Sequence, residues 1–369
     1  MTSALDCDVL IAGGGPAGLA VAIAARLHGL SALVLERGAS PPDKACGECL
    51  MPPAVLALDR MGVLDLIDPA HRASIDGVRF KRAGAAPADA RLPSPGALGV
   101  RRVELTAAMT ARAQRLGAEI RQRASVLGYR VEPDHVVVET DAGPVRSRFL
   151  VAADGLHSRL RTMAGLQTAS SGQRRFGIRQ HFRVRPWSCF VEVHLTGGVE
   201  AYVTPVGPEQ VGVVFLWDDA KLSRECVSID QLLQRFPSIS ARLVGAVADS
   251  RPLGAGPMAC SVRSRIADRF ALVGDAAGYI DAITGEGLSL AFVSALTLGR
   301  ILPVVLESGG TRETLLAYQH ESARRFRRYA LVTRTMLAFA RRPALHRSVI
   351  AALARHPEMF SAILKFAVG

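Results

Sequence analysis

The sequence predicts an α/β fold: a Rossmann-type body with a parallel sheet, interleaved with a mixed or antiparallel β-sheet lobe and followed by a helical C-terminal segment. Three observations carry this prediction. A short apolar run at 8–12 leads through Gly13-Gly14-Gly15-Pro16-Ala17-Gly18 into a helical stretch, 16–29, and then a second apolar run, 31–36. Strand-like runs separated by Pro and Gly fill 177–217. A long apolar helical pattern at 285–306 precedes a basic helical stretch, 312–369.

The first unit has the order and size of a strand, a crossover helix and a parallel strand. Residues 39–53, rich in Pro, Gly and Cys, read as a loop before a helix at 54–61. Weak alternation broken by Pro and Ala clusters makes 75–96 an excursion into the sheet lobe. Residues 104–116 predict an amphipathic helix, 119–145 a strand meander turning at Glu132-Pro133-Asp134, and 149–153 a buried strand. Runs at 178–184, 190–195, 202–206 and 211–217 predict an antiparallel sheet that floors a substrate site. An apolar strand returns at 270–273. The domain boundaries that follow assign 1–74, 99–176 and 260–306 to the dinucleotide-binding body, 75–98 and 177–259 to the sheet lobe, and 307–369 to C-terminal helices.

With 49% hydrophobic and 21% charged residues, the chain of 369 residues has the composition of a folded protein with a large core, not of a disordered one. The formal charge is +12, and among 45 basic residues only Lys44, Lys81, Lys221 and Lys365 are lysines. Evenly scattered Arg without a zinc-finger or helix-turn-helix pattern argues against nucleic acid. An acidic carrier protein, or an anionic membrane surface met by the basic C-terminal helices, makes better use of the charge. Cys7, Cys46, Cys49, Cys189, Cys226 and Cys260 are dispersed and no secretory leader precedes them, so reduced thiols and a cytoplasmic location are expected, with peripheral contact at the inner face of the membrane as an extension. The nine His lack metal-ligand spacing, and no metal is expected.

Gly13-x-Gly15-x-x-Gly18 lies where a dinucleotide motif must, between strand and helix. Gly13 permits the tight turn, Gly15 admits a pyrophosphate, and Gly18 lets helix and strand pack closely. Pro16 and Ala17 open the helix whose N-terminus favours phosphate charge. Glu36, followed by Arg37, closes the next strand and can accept from ribose hydroxyls. This fingerprint alone serves NAD or FAD.

Three later segments, Ala153-Asp154-Gly155-Leu156-His157-Ser158-Arg159-Leu160-Arg161, Gly274-Asp275-Ala276-Ala277-Gly278 and Thr284-Gly285-Glu286-Gly287-Leu288, occur in the order of the flavoprotein family of aromatic hydroxylases and geranylgeranyl reductases. The sequence resembles that family, whose fold is of the p-hydroxybenzoate hydroxylase type, to about residue 299. The resemblance implies FAD as cofactor and NAD(P)H as a transient electron donor. It implies that Asp154 supports the dinucleotide site, that Asp275 meets the ribityl chain, and that Arg102, in Arg102-Val103-Glu104-Leu105, reaches flavin or pyrophosphate. It also implies that the backbone of Gly285, Glu286, Gly287 and Leu288 faces flavin N1 and the C2 carbonyl, where a helix N-terminus stabilises the charge of reduced flavin.

Lys44-Ala45-Cys46-Gly47-Glu48-Cys49-Leu50 is similar to the CGxG loop of the reductase branch, so Cys46, Glu48 and Cys49 are expected at the flavin or substrate pocket. A redox dithiol of Cys46 and Cys49, or plain loop packing, are the alternatives. His181, on a strand, either faces substrate or is an ordinary structural histidine. Tyr202 and Pro205 retain one aromatic and the Pro of the reductase branch's YxWxFP strand, and Ala282 stands where the family commonly has Pro. The missing tunnel aromatics of that strand and the small sheet lobe favour, as the first reading, a monooxygenase hydroxylating an apolar aromatic or polyene molecule with reduced flavin and dioxygen. The Thr284–Leu288 segment points instead to reduction of carbon–carbon double bonds. A non-catalytic flavin-binding partner of a carrier protein is the third reading.

Overall fold

The computed structural model describes residues 5–39, 43–168, 174–220, 222 and 227–368; Lys221, Cys226 and part of the 39–53 loop lie outside the described residues. Apolar runs pair in parallel to build the first sheet. Its order is β20 (Ile266–Ala267), β21 (Phe270–Leu272), β11 (Gly143–Ala152), β1 (Cys7–Ala12), β2 (Ala32–Glu36) and β8 (Glu119–Gln122), with β10 (Val136–Thr140) and β9 (Val126–Val131) extending from β11 as an antiparallel hairpin. Val9, Leu10 and Ile11 are all fully buried because the sheet is covered on both faces. Val9 and Ile11 pack beneath α1 (Pro16–Leu27), α3 (Arg102–Arg115) and α7 (Gly287–Glu307). Leu10 packs with Val136, Val138 and Leu160 on the opposite face.

The helix α7 is long and apolar enough to cross a membrane, yet it lies along α1 and α2 (Pro52–Arg60). A Cβ at Gly299 would stand 2.5 Å from Ala24 Cβ, so the two helices touch at backbone distance.

The second sheet has the order β17 (Val247–Ala248), β13 (Arg175–Arg183), β16 (Gln210–Asp218), β15 (Val199–Gly207), β14 (Phe190–Thr196), β5 (Gly77–Lys81) and β6 (Ala88–Arg91), with β18 (Leu253–Ala255) on β13. Alternation sorts its side chains. Val199, Ala201, Val203, Val213 and Phe215 face α5 (Ile229–Leu233) and α6 (Pro237–Arg242). Val78, Phe80, Val191, Val193 and Leu195 face α9 (Pro343–Arg355) and α10 (Pro357–Val368). A small sheet of β3 (Cys49–Leu50), β7 (Ala97–Val100) and β4 (Arg72–Ile75) bridges the two bodies, β12 (Gln167–Thr168) pairs β19 (Ser261–Val262), and α4 (Arg159–Met163) and α8 (Leu316–Ala340) complete the frame.

Two details differ from the sequence expectations. Residues 119–122 leave the meander and pair in parallel with β2, since Arg123 and Ala124 N–H groups donate to Gly38 and Glu36 carbonyls and extend that edge. Residues 149–152 belong to one ten-residue strand, β11, that serves the hairpin at its start and the parallel sheet at its end. The second sheet is of the expected mixed kind, with the 177–217 strands antiparallel and β5 parallel to β14.

Candidate flavin and substrate site

The Gly-rich turn sits at the end of β1. Gly13 has φ +111°, and a Cβ there would lie 2.5 Å from the Ala153 carbonyl oxygen; at Gly18 it would lie 1.9 Å from that of Gly13. Gly15 is different. Its notional Cβ meets only Arg102 Nη2, at 3.8 Å, so the space before it is open. Glu36 braces the turn, accepting from the N–H of Gly14 at 2.7 Å and of Gly38 at 2.9 Å, while Arg37 is exposed at the rim.

The remaining motifs converge on this opening. Asp154 Oδ2 accepts from Leu160 N–H at 3.3 Å, and its Oδ1 is buried without a partner. Arg161, almost fully buried, donates to the carbonyls of Leu156 at 2.8 Å and Ala276 at 3.3 Å, tying the Asp154 segment to the Asp275 turn. Burial pushes the Asp275 carboxyl above the usual range, and Arg102 and Lys44 oppose that shift. Lys44, which the sequence motifs do not single out, feels Arg102, Glu36 and Asp275 electrostatically, so the four share one groove.

At the far end, Gly285 takes φ +68° and Glu286 caps α7, so the helix proper begins at Gly287, followed by Leu288. A Cβ at Gly285 would be 3.6 Å from Met51, and one at Gly287 3.6 Å from the Tyr279 ring. Burial pushes the Glu286 carboxyl up to about 7, with Arg328 opposing, and Glu286 Oε1 has no partner.

Ala282 does not leave this loop loose. Asp281 Oδ2 accepts from Arg175 Nε at 2.9 Å, and Oδ1 from Ile283 N–H at 3.0 Å. The Tyr329 hydroxyl donates to the Asp281 carbonyl at 2.8 Å and accepts from the N–H groups of Asp281 and Ile280. Arg175, 2% exposed, also meets Glu200 at 2.6 Å and Asp218 at 3.5 Å. Burial pushes the Glu200 carboxyl up to about 7 against the pull of Arg175, so an ionic cluster of the second sheet holds the turn that a proline would otherwise stiffen.

Two residues expected in the substrate pocket do not line open space. His181 is fully buried, with Nε2 2.5 Å from Glu48 Oε2 and Nδ1 2.8 Å from Arg179 Nη1. A guanidinium only donates, so Nδ1 accepts and Nε2 carries the proton that goes to Glu48. Glu48, at φ +57°, accepts the Arg102 N–H with its other oxygen at 2.9 Å. It thereby supplies an acceptor to the start of α3, whose N-cap residue, Arg101, makes no side-chain capping bond. Arg179 in turn donates to Asp43 and to the Lys44 carbonyl. The loop carrying Lys44 is thus bolted to β13. For His181 this is the structural alternative and for Glu48 the loop-packing one: the polar network takes both ring nitrogens and both carboxylate oxygens.

Cys46 Sγ accepts from Glu48 N–H at 3.4 Å, and both Cys46 and Cys49 are free thiols. Burial pushes the Cys49 thiol up to about 12, with Cys46 and Glu286 adding to the shift, which holds Cys49 itself as a thiol. Cys49, Met51 and Tyr202 line an apolar core with Val193 and Ile350, and the Tyr202 hydroxyl donates to the Ile283 carbonyl at 3.3 Å. Pro205 is buried where β15 crosses β7: a Cβ on Gly99 would stand 1.7 Å from its carbonyl oxygen. Among the described residues no cluster of His, Cys, Asp and Glu could hold a metal ion.

An open backbone cradle at Gly15, the unpartnered buried atoms Arg102 Nε, Asp154 Oδ1 and Glu286 Oε1, and a helix N-terminus at Gly287 fit a long dinucleotide carrying a ring system. Fold and site define a flavin-binding oxidoreductase. Residues 6–333 match the FAD binding domain family, and the chain belongs to it. Among its relatives are dialkyldecalin synthase of Streptomyces rugosporus, 27% identical over 333 residues (85% of this chain, 68% of that protein), and menaquinone reductase of Mycolicibacterium smegmatis, 28% identical over 356 residues (88% and 84%). Rifampicin monooxygenase of Streptomyces venezuelae is 30% identical over 161 residues, 43% of this chain and 34% of that one. The fold is also that of a flavoprotein/dehydrogenase from Cytophaga hutchinsonii, with TM-score 0.84 at 20% identity over 98% of this chain and 92% of that one. FAD is the cofactor, and the protein is an FAD-dependent oxidoreductase.

Proposed function

We propose that the protein takes reducing equivalents from NAD(P)H and delivers them to an unsaturated, apolar small molecule of quinone or polyene type, in the cytoplasm. Glu286 is the observation that carries this reading: a carboxyl that burial holds up to about 7, unpartnered at one oxygen, at the start of α7 between Gly285, which faces Met51, and Gly287, which faces Tyr279. Bound FAD supplies hydride transfer. The chain's own residues do the rest. Glu36, Arg102, Asp154 and Asp275 hold the dinucleotide, while Met51, Ile283 and Tyr202 exclude water from the substrate. Glu286, protonated near neutrality, donates the proton that balances a hydride added across a double bond or to a carbonyl. The menaquinone reductase relative, aligned over most of both chains, supports this reading.

Hydroxylation with dioxygen is the second reading, favoured by the rifampicin monooxygenase match over the shared segment. Anaerobic photoreduction of the purified holoprotein, followed by a short-chain menaquinone or geranylgeraniol and then by oxygen, separates them. Flavin reoxidation before oxygen is admitted supports reduction. Reoxidation only with oxygen, with labelled oxygen in the product, overturns it in favour of hydroxylation. No turnover with intact flavin binding leaves the carrier-protein partner.

A further inference from the structure

We propose that the C-terminal helices α8–α10 seat the protein on an anionic lipid bilayer, with the outer face of α10 as the apolar contact. This goes beyond the reaction and holds for either reading of it. The helix Pro357–Val368 is apolar on two sides. Phe360, Leu364 and Val368 point inward, packing with Phe80, Val191 and Leu195 in the core that also contains Met51 and Tyr202. Met359, Ala362, Ile363 and Phe366 recur at the spacing of one helical face and point outward, with Met359, Ile363 and Phe366 47%, 51% and 61% exposed. A helix of this kind leaves its second apolar stripe in water unless something covers it.

Charge identifies what covers it. From Leu316 to the end of the chain there are ten Arg and Lys against two Glu, so eight of the twelve net positive charges lie in this segment. Arg324 and Arg325 pair with Glu321, but among the described residues no carboxylate pairs with Arg327, Arg334, Arg347, Arg355 or Lys365. The Arg328 guanidinium lies over the exposed Phe366 ring at 4.9 Å, and Leu331, one turn further along α8, is 62% exposed. A second copy of this chain would bring like charge against like. An anionic lipid surface meets both the apolar stripe and the cations around it.

The test is flotation of the FAD-loaded full chain with vesicles of phosphatidylglycerol and phosphatidylcholine in equal parts, with phosphatidylcholine alone, and with the mixed vesicles in high salt. Binding is expected only to the anionic vesicles and is expected to weaken in salt. The exposed pair Ile363→Ser/Phe366→Ser should lower the partition coefficient at least about tenfold, with flavin content unchanged. Arg355→Glu/Lys365→Glu should abolish the preference for anionic lipid without removing flavin. Absence of binding to the anionic vesicles, or equal binding by Ile363→Ser/Phe366→Ser, overturns the proposal. So does a dimer in sedimentation that the same pair dissociates, since the stripe would then be a protein–protein contact.

Discussion

His181 Nε2 lies 2.5 Å from Glu48 Oε2, across the junction between the second sheet and the flavin-side loop, with both side chains out of contact with water. The pair joins β13 to the start of α3, and through Arg102 to the turn at Gly15. Removing the carboxylate strands two donors, the His181 Nε2–H and the Arg102 backbone N–H. Glu48→Ala should destabilise the holoprotein by about 1–3 kcal/mol, the scale for leaving buried donors unsatisfied. It should also release FAD more readily in dilution. Thermal melts with and without added FAD read both effects; a variant that melts and retains flavin like the parent would remove the bolt from the account.

Gly13 and Gly15 should separate folding from binding. Gly13→Ala forces a Cβ onto the Ala153 carbonyl at φ +111° and should lower apoprotein stability by several kcal/mol, on the order of a buried steric clash. Gly15→Ala has room in the apoprotein and should melt as the parent does, yet bind FAD at least about tenfold more weakly, about 1.4 kcal/mol. Titrating each apoprotein with FAD by flavin fluorescence quenching, beside its melting curve, decides this.

Glu200 gives a pH dependence with a definite sign. Its folded carboxyl is pushed up to about 7 by burial, above the ordinary 4.5, so between those values the folded state holds a proton that the unfolded state releases. Stability therefore falls as pH rises from 4.5 through 7. Glu200→Gln keeps the neutral shape and should flatten that slope. Melting temperatures across pH 5–8 for parent and variant measure it, and parallel curves would mean that Glu200 is ionised throughout.

Tyr329→Phe removes the hydroxyl that serves three backbone groups of the 280–281 segment. A loss of about 1–3 kcal/mol is expected from the groups left unsatisfied. Because this segment leads into the Gly285–Gly287 turn, the flavin visible spectrum should shift as well. A stability loss with an unchanged spectrum would confine Tyr329 to packing.

Cys49→Ser should leave flavin reduction by NAD(P)H unchanged, because burial already holds the thiol at about 12. Stopped-flow reduction, followed by loss of the flavin's visible absorbance, compares the two. A large drop in rate would restore the dithiol.

Much of the frame is legible in the order of residues. The strand, Gly-rich turn, helix and terminal Glu36 carry their own geometry, because tight turns, helix N-termini and parallel strands depend on neighbours a few positions apart. The long apolar pattern before residue 306 and the alternating runs at 177–217 become α7 and four strands of the second sheet for the same reason. The edge role of residues 119–122 and the parallel joint of β5 with β14 were not legible, since pairing partners far apart in the chain are chosen by which strand edges remain free.

The site divides in the same way. Gly13, Gly15, Gly18, Glu36, Asp154, Asp275 and the turn at Gly285 announce a dinucleotide locally, through backbone freedom and charge at set spacings. Lys44, Arg175 and Arg179 do not, because nothing nearby in sequence distinguishes a scattered basic residue that ends up buried between carboxylates from one left in water. Only the tertiary structure brings His181 to Glu48, 133 positions away, and Arg175 to Asp281, 106 positions away. Desolvation then turns each pair from an ordinary surface attraction into a junction between the sheet and the flavin loops.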